Sequence, residues 1–200
     1  MVYLLQCFVV SALNFGQLSI GLGIGYSAIL IPQLERGPDV DTEVRIEVGL
    51  TETSWIVSLV SVGQVGGAVL GALLASAIGR KGGIEYWAVM AISYMAIADC
   101  AGAVLLSIVP SITGWTVVAI SQDVAMLYAG RVLCGLGMGV EGTVHPVYVC
   151  ELCSPAYRGP LAASGVIVIT AGVLLSYVLG TFISWKLCAW VFLGVHVSTH

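Results

Sequence analysis

The chain has 200 residues, 58% of them hydrophobic and 9% charged, with a formal net charge of −4 and a mean hydropathy of +1.02. A water-soluble domain covers its surface with about 25% charged residues, so this composition excludes an aqueous globule and makes the lipid bilayer the expected surroundings. Seven basic residues against eleven acidic ones form no basic patch, which argues against nucleic acid as a partner.

A helix that crosses a membrane needs about 20 apolar residues, and lipid forces each crossing segment to satisfy its own backbone polar groups. The runs below therefore predict an all-α, polytopic transmembrane bundle. The first run, residues 4–34, belongs to a stretch that is uncharged from Met1 to Leu34. It is far longer than a signal-peptide core of roughly 7–15 residues, and is expected to remain as a span. Asn14 and Gln17 interrupt it; their amides either face a cavity or link helices. Residues 35–53 are polar, with six acids against two arginines.

The second span is expected over 55–78, rich in small residues such as Gly63, Gly67 and Gly71, which let helix backbones approach closely in lipid. It closes on Gly79-Arg80-Lys81. The third is expected over 100–122, between Asp99 and Asp123. The fourth, 132–149, is flanked by Arg131 and interrupted by Glu141. A polar loop, Glu151–Arg158, leads to the fifth span, 161–183. A partial sixth follows over 187–197. Basic residues favour the cytoplasmic side, so Arg80, Lys81 and Arg158 are expected there, with the acidic first loop outside.

A charge at the centre of a span costs about 2.5–3.5 kcal/mol on insertion scales, so such residues face a cavity or a partner. Arg131 and Glu141 are about 15 Å apart along a helix axis and cannot pair. Glu141 and His145 are one turn apart and can. Arg131, Glu141 and His145 are read as cavity-facing charges; a packed Glu141–His145 pair is the alternative. The six cysteines (Cys7, Cys100, Cys134, Cys150, Cys153 and Cys188) lie mostly in apolar runs and read as small buried residues. Cys150-x-x-Cys153 has no second pair and no histidine cluster near it. No nucleophile, metal or cofactor motif stands out, so the chain is not read as an enzyme and no cofactor is expected.

Three stretches carry a resemblance: AIGRK (77–81), AGRVLCGLGMGVEGTVHPVYVCELCSPAYRGPLA (129–162) and GVLLSYVLGTFISW (172–185). Together they resemble the sugar-porter branch of the major facilitator superfamily, and within it the trehalose-type facilitators, over roughly residues 15–190. The resemblance implies the N-terminal half of that fold: five spans plus a truncated sixth, with a second six-helix half absent. It implies an integral membrane carrier, expected in the plasma membrane, moving a small sugar by alternating access.

It also implies roles. Arg80, Glu151 and Arg158 would form a cytoplasmic gate of paired charges; the acid that the family usually has four residues before Arg80 is here Ser76. The fourth helix would line the sugar path near Glu141. The fifth helix usually offers a sugar-holding amide; that place is Val166 here, and Thr170 is the nearest polar alternative. Gln17, Glu141 and Thr170 are therefore the candidate substrate-binding residues. Proton-coupled members have an acid directly after Gly-Tyr in the first helix. Here Gly25-Tyr26 is followed by Ser27, which implies passive uniport. A proton-coupled symporter, or a non-transporting fragment that associates with full-length carriers, are the alternatives.

Residues 82–102 depart from the family pattern. Without them the sequence runs from the basic turn straight into a family-like third helix, so they read as an in-frame insert from an unusual splice form or an intron read through. The ending VHVSTH departs as well. The insert's charge-free core, Tyr86–Ala98, has 13 residues, too few to span. It is expected to stay on the cytoplasmic side, as a surface helix over 84–99 or an extension of the third span.

Overall fold

The computed structural model describes residues 2–35, 49–79, 107–152 and 157–199. Six helices account for nearly all of them: α1 Val2–Glu35, α2 Leu50–Gly79, α3 with described residues Ser107–Ala119, α4 Val124–Leu152, α5 Arg158–Phe182 and α6 Trp185–Thr199. The fold is all-α. Among the described residues, four helices contain stretches long and apolar enough to cross a membrane, Asn14–Leu34, Leu50–Leu73, Val124–Val147 and Arg158–Phe182. The protein is an integral membrane protein. The 82–102 segment, Arg80 and the side chain of Glu151 lie outside the described residues, and so does the surface helix expected over 84–99.

Helix α4 starts at Val124, ahead of the Val132 expected from charge alone. Arg131 is therefore two turns inside the helix rather than at its flank. A contact with a partner on another helix, described below, lets this charge sit where a flanking position was anticipated. At the start of α2, the Gly49 amide donates to Glu52 Oε2 at 2.8 Å. This satisfies an amide that the helix leaves unpaired and sets an acid against the positive end of its dipole.

The bundle is built from two close pairs, α2 on α4 and α1 on α5, with α1 also meeting α4 and α6. Glycine permits both. A Cβ on Gly63 would lie 2.4 Å from the Val132 carbonyl oxygen, and one on Gly135 would lie 2.3 Å from that of Val60. Across the other pair, a Cβ on Gly21 would meet the Ile169 oxygen at 2.1 Å. Backbone oxygens cannot rotate away as side chains can, so these positions exclude any larger residue.

The pairs differ in depth. Of the apolar stretches, 61% of residues in α1 and 56% in α4 are buried, against 28% in α2 and 17% in α5. α1 and α4 are central, while α2 and α5 turn apolar faces outward. Val166, Ile167, Leu174 and Phe182 on α5 are all exposed, as side chains facing lipid or a further helical layer can be without the penalty that water imposes.

The core runs through Leu22, Tyr26, Leu30, Ile56, Trp115, Val118, Leu127, Cys134, Cys188 and Phe192. The corner between α5 and α6 turns at Ile183, whose extended backbone ends the helix. Gln33 of α1 clasps it. Its Nε2 donates to the carbonyls of Gly180 and Ile183, each at 3.1 Å, and its Oε1 accepts from the Trp185 amide at 2.6 Å. One amide side chain thereby satisfies three backbone groups at a helix break, where the regular ladder cannot.

Candidate functional site

Two polar clusters lie inside the apolar bundle. The first centres on Arg131, which is fully buried. Its Nη2 donates to Ser27 Oγ on α1, and its guanidinium carbon sits 5.2 Å from the centre of the Tyr26 ring. A desolvated cation over an aromatic face gains about 2 kcal/mol, and a hydrogen bond to a charged group about 1.5–3 kcal/mol. Burying an ion costs several kcal/mol. Among the described residues, Nε and Nη1 have no hydrogen-bond partner, and no carboxylate pairs with the charge.

Tyr26 is itself held from three sides. Its hydroxyl donates to the Trp185 carbonyl at 2.9 Å. Its ring packs edge-on against Trp115 of α3 and Phe192 of α6, with centroids 5.1 Å and 5.8 Å away, and those two rings meet each other at 5.4 Å. Such edge-to-face pairs add about 0.5–1.5 kcal/mol each beyond burial. The trio locks α1, α3 and α6 around the point where Arg131 enters from α4.

The second cluster joins α1, α4 and α5. Asn14 Nδ2 donates to Ser164 Oγ at 2.8 Å, and Ser164 donates in turn to the Leu161 carbonyl at 2.6 Å. The Asn14 oxygen lies 3.1 Å from His145 Nε2. An amide oxygen only accepts, so the His145 proton on this side is at Nε2. The result is a directional chain from α4 through α1 to α5. Gly165 makes room for the imidazole: a Cβ there would come within 2.8 Å of His145 Cε1.

Gln17, one turn beyond Asn14, is buried, and its Nε2 has no hydrogen-bond partner among the described residues. Glu141, one turn from His145, is buried as well. Gln17, Glu141 and His145 are thus all interior positions on the two central helices. Thr170 is not with them. It lies on the exposed face of α5, and its hydroxyl donates to the Val166 carbonyl at 2.9 Å. Arg158 is the first residue of α5 and is exposed, and Glu151 closes the last turn of α4.

Sequence reading had named Arg131, Glu141 and His145 for their charge, and Ser27 for the acid it replaces. It missed the partners: Tyr26, Trp115, Phe192 and Ser164. Tyr26 was visible beside Ser27, yet nothing local marks a tyrosine as the seat of a cation 105 positions later. His145 is joined to Asn14 across helices, where the helical spacing had offered Glu141. Among the described residues, no three of His, Cys, Asp or Glu gather to hold a metal ion.

A family model described as "Sugar (and other) transporter" matches residues 7–193. Mouse solute carrier family 2, facilitated glucose transporter member 8, is 34% identical over 175 residues, covering 88% of this chain and 32% of that protein. The Arabidopsis thaliana sugar transporter ERD6-like 6 is 29% identical over 187 residues, covering 92% of this chain and 32% of that protein. The Bombyx mori facilitated trehalose transporter Tret1 is 25% identical over 181 residues, with 90% and 30% covered. The chain spans about a third of the length of these relatives.

Proposed function

This chain belongs to the sugar transporter family, the sugar-porter branch of the major facilitator superfamily, and from that premise we propose that it acts in facilitated, uniport movement of a small sugar, trehalose or a hexose, across the plasma membrane. The chain supplies one helical half of a carrier, with the sugar path running along α1 and α4. Carriers of this architecture bind at the interface between two structural repeats and rock one against the other.

The observation that supports uniport is the contact between Arg131 and Ser27. A carboxylate opposite a buried guanidinium takes up and releases a proton as its surroundings change. A serine hydroxyl does not titrate, so the α1–α4 contact has no proton to carry. Gln17 and Glu141 are interior polar groups of the kind that hydrogen-bond sugar hydroxyls, and amide and carboxyl groups in an apolar setting discriminate strongly among hydroxylated ligands.

A second reading, proton-coupled symport, is favoured by one feature: Glu141 is a buried carboxyl on the same central helix as Arg131. A third reading is association with full-length carriers without transport. The deciding experiment is uptake of labelled trehalose and glucose by cells or vesicles containing the chain, alone and fused to the second half of a relative, with internal pH recorded. Uptake without acidification supports uniport. An inward proton flux that follows uptake, and is lost in Glu141→Gln, would overturn it in favour of symport. No uptake in either form would leave the associating role.

A further inference from the structure

We infer that the first turns of α2 carry a docking groove for a neutral pyranose sugar, separate from the buried Gln17 and Glu141. The groove's role, a first contact for the cargo before it enters the path, rests on the sugar-transport reading above. A cavity of about 380 Å³ opens there, lined by Leu50, Thr51, Ser54, Trp55 and Ser58. Small-molecule sites commonly enclose about 300–1,000 Å³. Positions 51, 54, 55 and 58 are related by the three- and four-residue steps that set side chains on one helix face, so they converge rather than scatter. All five lining residues are exposed, Trp55 to 54%. Helix α2 leaves the acidic stretch 35–53 and ends at the basic turn, which puts the groove on the outer side in the orientation expected from charge.

The lining selects its ligand. None of the five side chains is charged, so the groove answers no ion. The neighbouring carboxylate, Glu52, already accepts from the Gly49 amide at 2.8 Å. Ser54 Oγ donates to the Leu50 carbonyl at 3.0 Å, and Ser58 Oγ donates to the Ser54 carbonyl at 2.8 Å. A hydroxyl has one proton and two lone pairs. With their protons held inside the helix, both serines meet the cavity as acceptors and call for a ligand rich in donors. Trp55 adds a broad apolar face with a polar N–H at its edge. A pyranose meets both demands: its hydroxyls donate, and its C–H face covers the indole. An acyclic polyol brings the hydroxyls without a rigid apolar face, and an acyl chain brings apolar surface without donors. The bilayer interface also favours tryptophan at the end of a span, but anchoring there asks nothing of three hydroxyls on the same face.

The test uses the full 200-residue chain in phosphatidylcholine nanodiscs, which bring no sugar headgroups, and follows acrylamide quenching of tryptophan fluorescence. The Trp55 signal is the difference between wild type and Trp55→Phe; should that variant fail to fold, Trp55→Tyr takes its place. Trehalose or glucose is expected to shield this signal and to saturate, while mannitol at equal osmolality is not. Ser54→Ala with Ser58→Ala should weaken the apparent affinity about five-fold or more, because two acceptors are lost. No shielding, equal shielding by mannitol, shielding that never saturates, or undiminished affinity in the folded double variant would each overturn the groove. Labelled sugar bound to the same discs without shielding of Trp55 would overturn the groove alone and leave the transport reading standing. Saturable shielding in a chain that gives no uptake would support the groove as a sugar site while the transport reading fails.

Discussion

Arg131 and Ser27 stand 104 positions apart in the chain and meet across the contact between α1 and α4, where the guanidinium donates to the hydroxyl. Removing the acceptor strands another buried donor on a charged group whose Nε and Nη1 already lack a partner among the described residues. Ser27→Ala is expected to cost about 1–3 kcal/mol. In a chain of this size that lowers Tm by about 2–4 °C per kcal/mol. A Tm unchanged to within about 1 °C would show that the contact contributes nothing.

The two helix pairs depend on glycine at their crossing points. Gly63→Val is expected to separate α2 from α4, because its Cβ alone would sit 2.4 Å from a backbone oxygen and overpacking of this kind typically costs about 1–3 kcal/mol or more. The yield of monodisperse protein on gel filtration should collapse. Gly159→Ala is the control, since nothing lies within 4 Å of a Cβ there. Equal yields from the two variants would sink the idea of a close-packed crossing.

The chain of hydrogen bonds from His145 through Asn14 to Ser164 predicts non-additive energetics. In a double-mutant cycle with Asn14→Ala and Ser164→Ala, the coupling energy is expected to be about 0.5–3 kcal/mol. Strict additivity would mean that the 2.8 Å contact between them carries no net stability.

At the proposed cytoplasmic end, Arg158 is exposed at the first position of α5. In a full-length carrier, Arg158→Ala should insert normally and transport more slowly, as a gate loses one of its charges. Exposed ion pairs contribute only about 0–1 kcal/mol, so the effect belongs to the rate rather than to stability. A wild-type rate would reduce Arg158 to an anchor for topology.

Residues 82–102 are expected not to cross the bilayer. Their charge-free core of 13 residues is about seven short of a span, and Asp99 would have to enter hydrocarbon. A single cysteine placed in the Glu151–Arg158 loop of a cysteine-free variant should resist impermeant reagents added to intact cells. Labelling from outside would mean that the segment spans and that everything after it is inverted.

What the sequence determined by itself was the class of structure. Long uncharged runs in a chain with 9% charged residues can only be helices in lipid, because no other single segment satisfies its own backbone there. The same reasoning made Arg131 and Glu141 conspicuous, since a charge inside such a run needs a reason. Helix ends were less legible: Arg131 looked like a boundary, and α4 continues seven residues before it because a hydroxyl and an aromatic face receive the charge. Which face of each helix turns inward was left to the tertiary structure. Helices apolar nearly all round carry no stripe from which a face can be read. The choice is made by shape, at glycines where backbones touch, and by polar atoms that find partners on other helices. That is why Thr170, a plausible polar choice by alignment, sits on the exposed face of α5. It is also why Asn14, with no more local distinction than Gln17, ties three helices together. Sequence can mark a buried charge because its cost is local, but its partner is fixed only when distant segments pack.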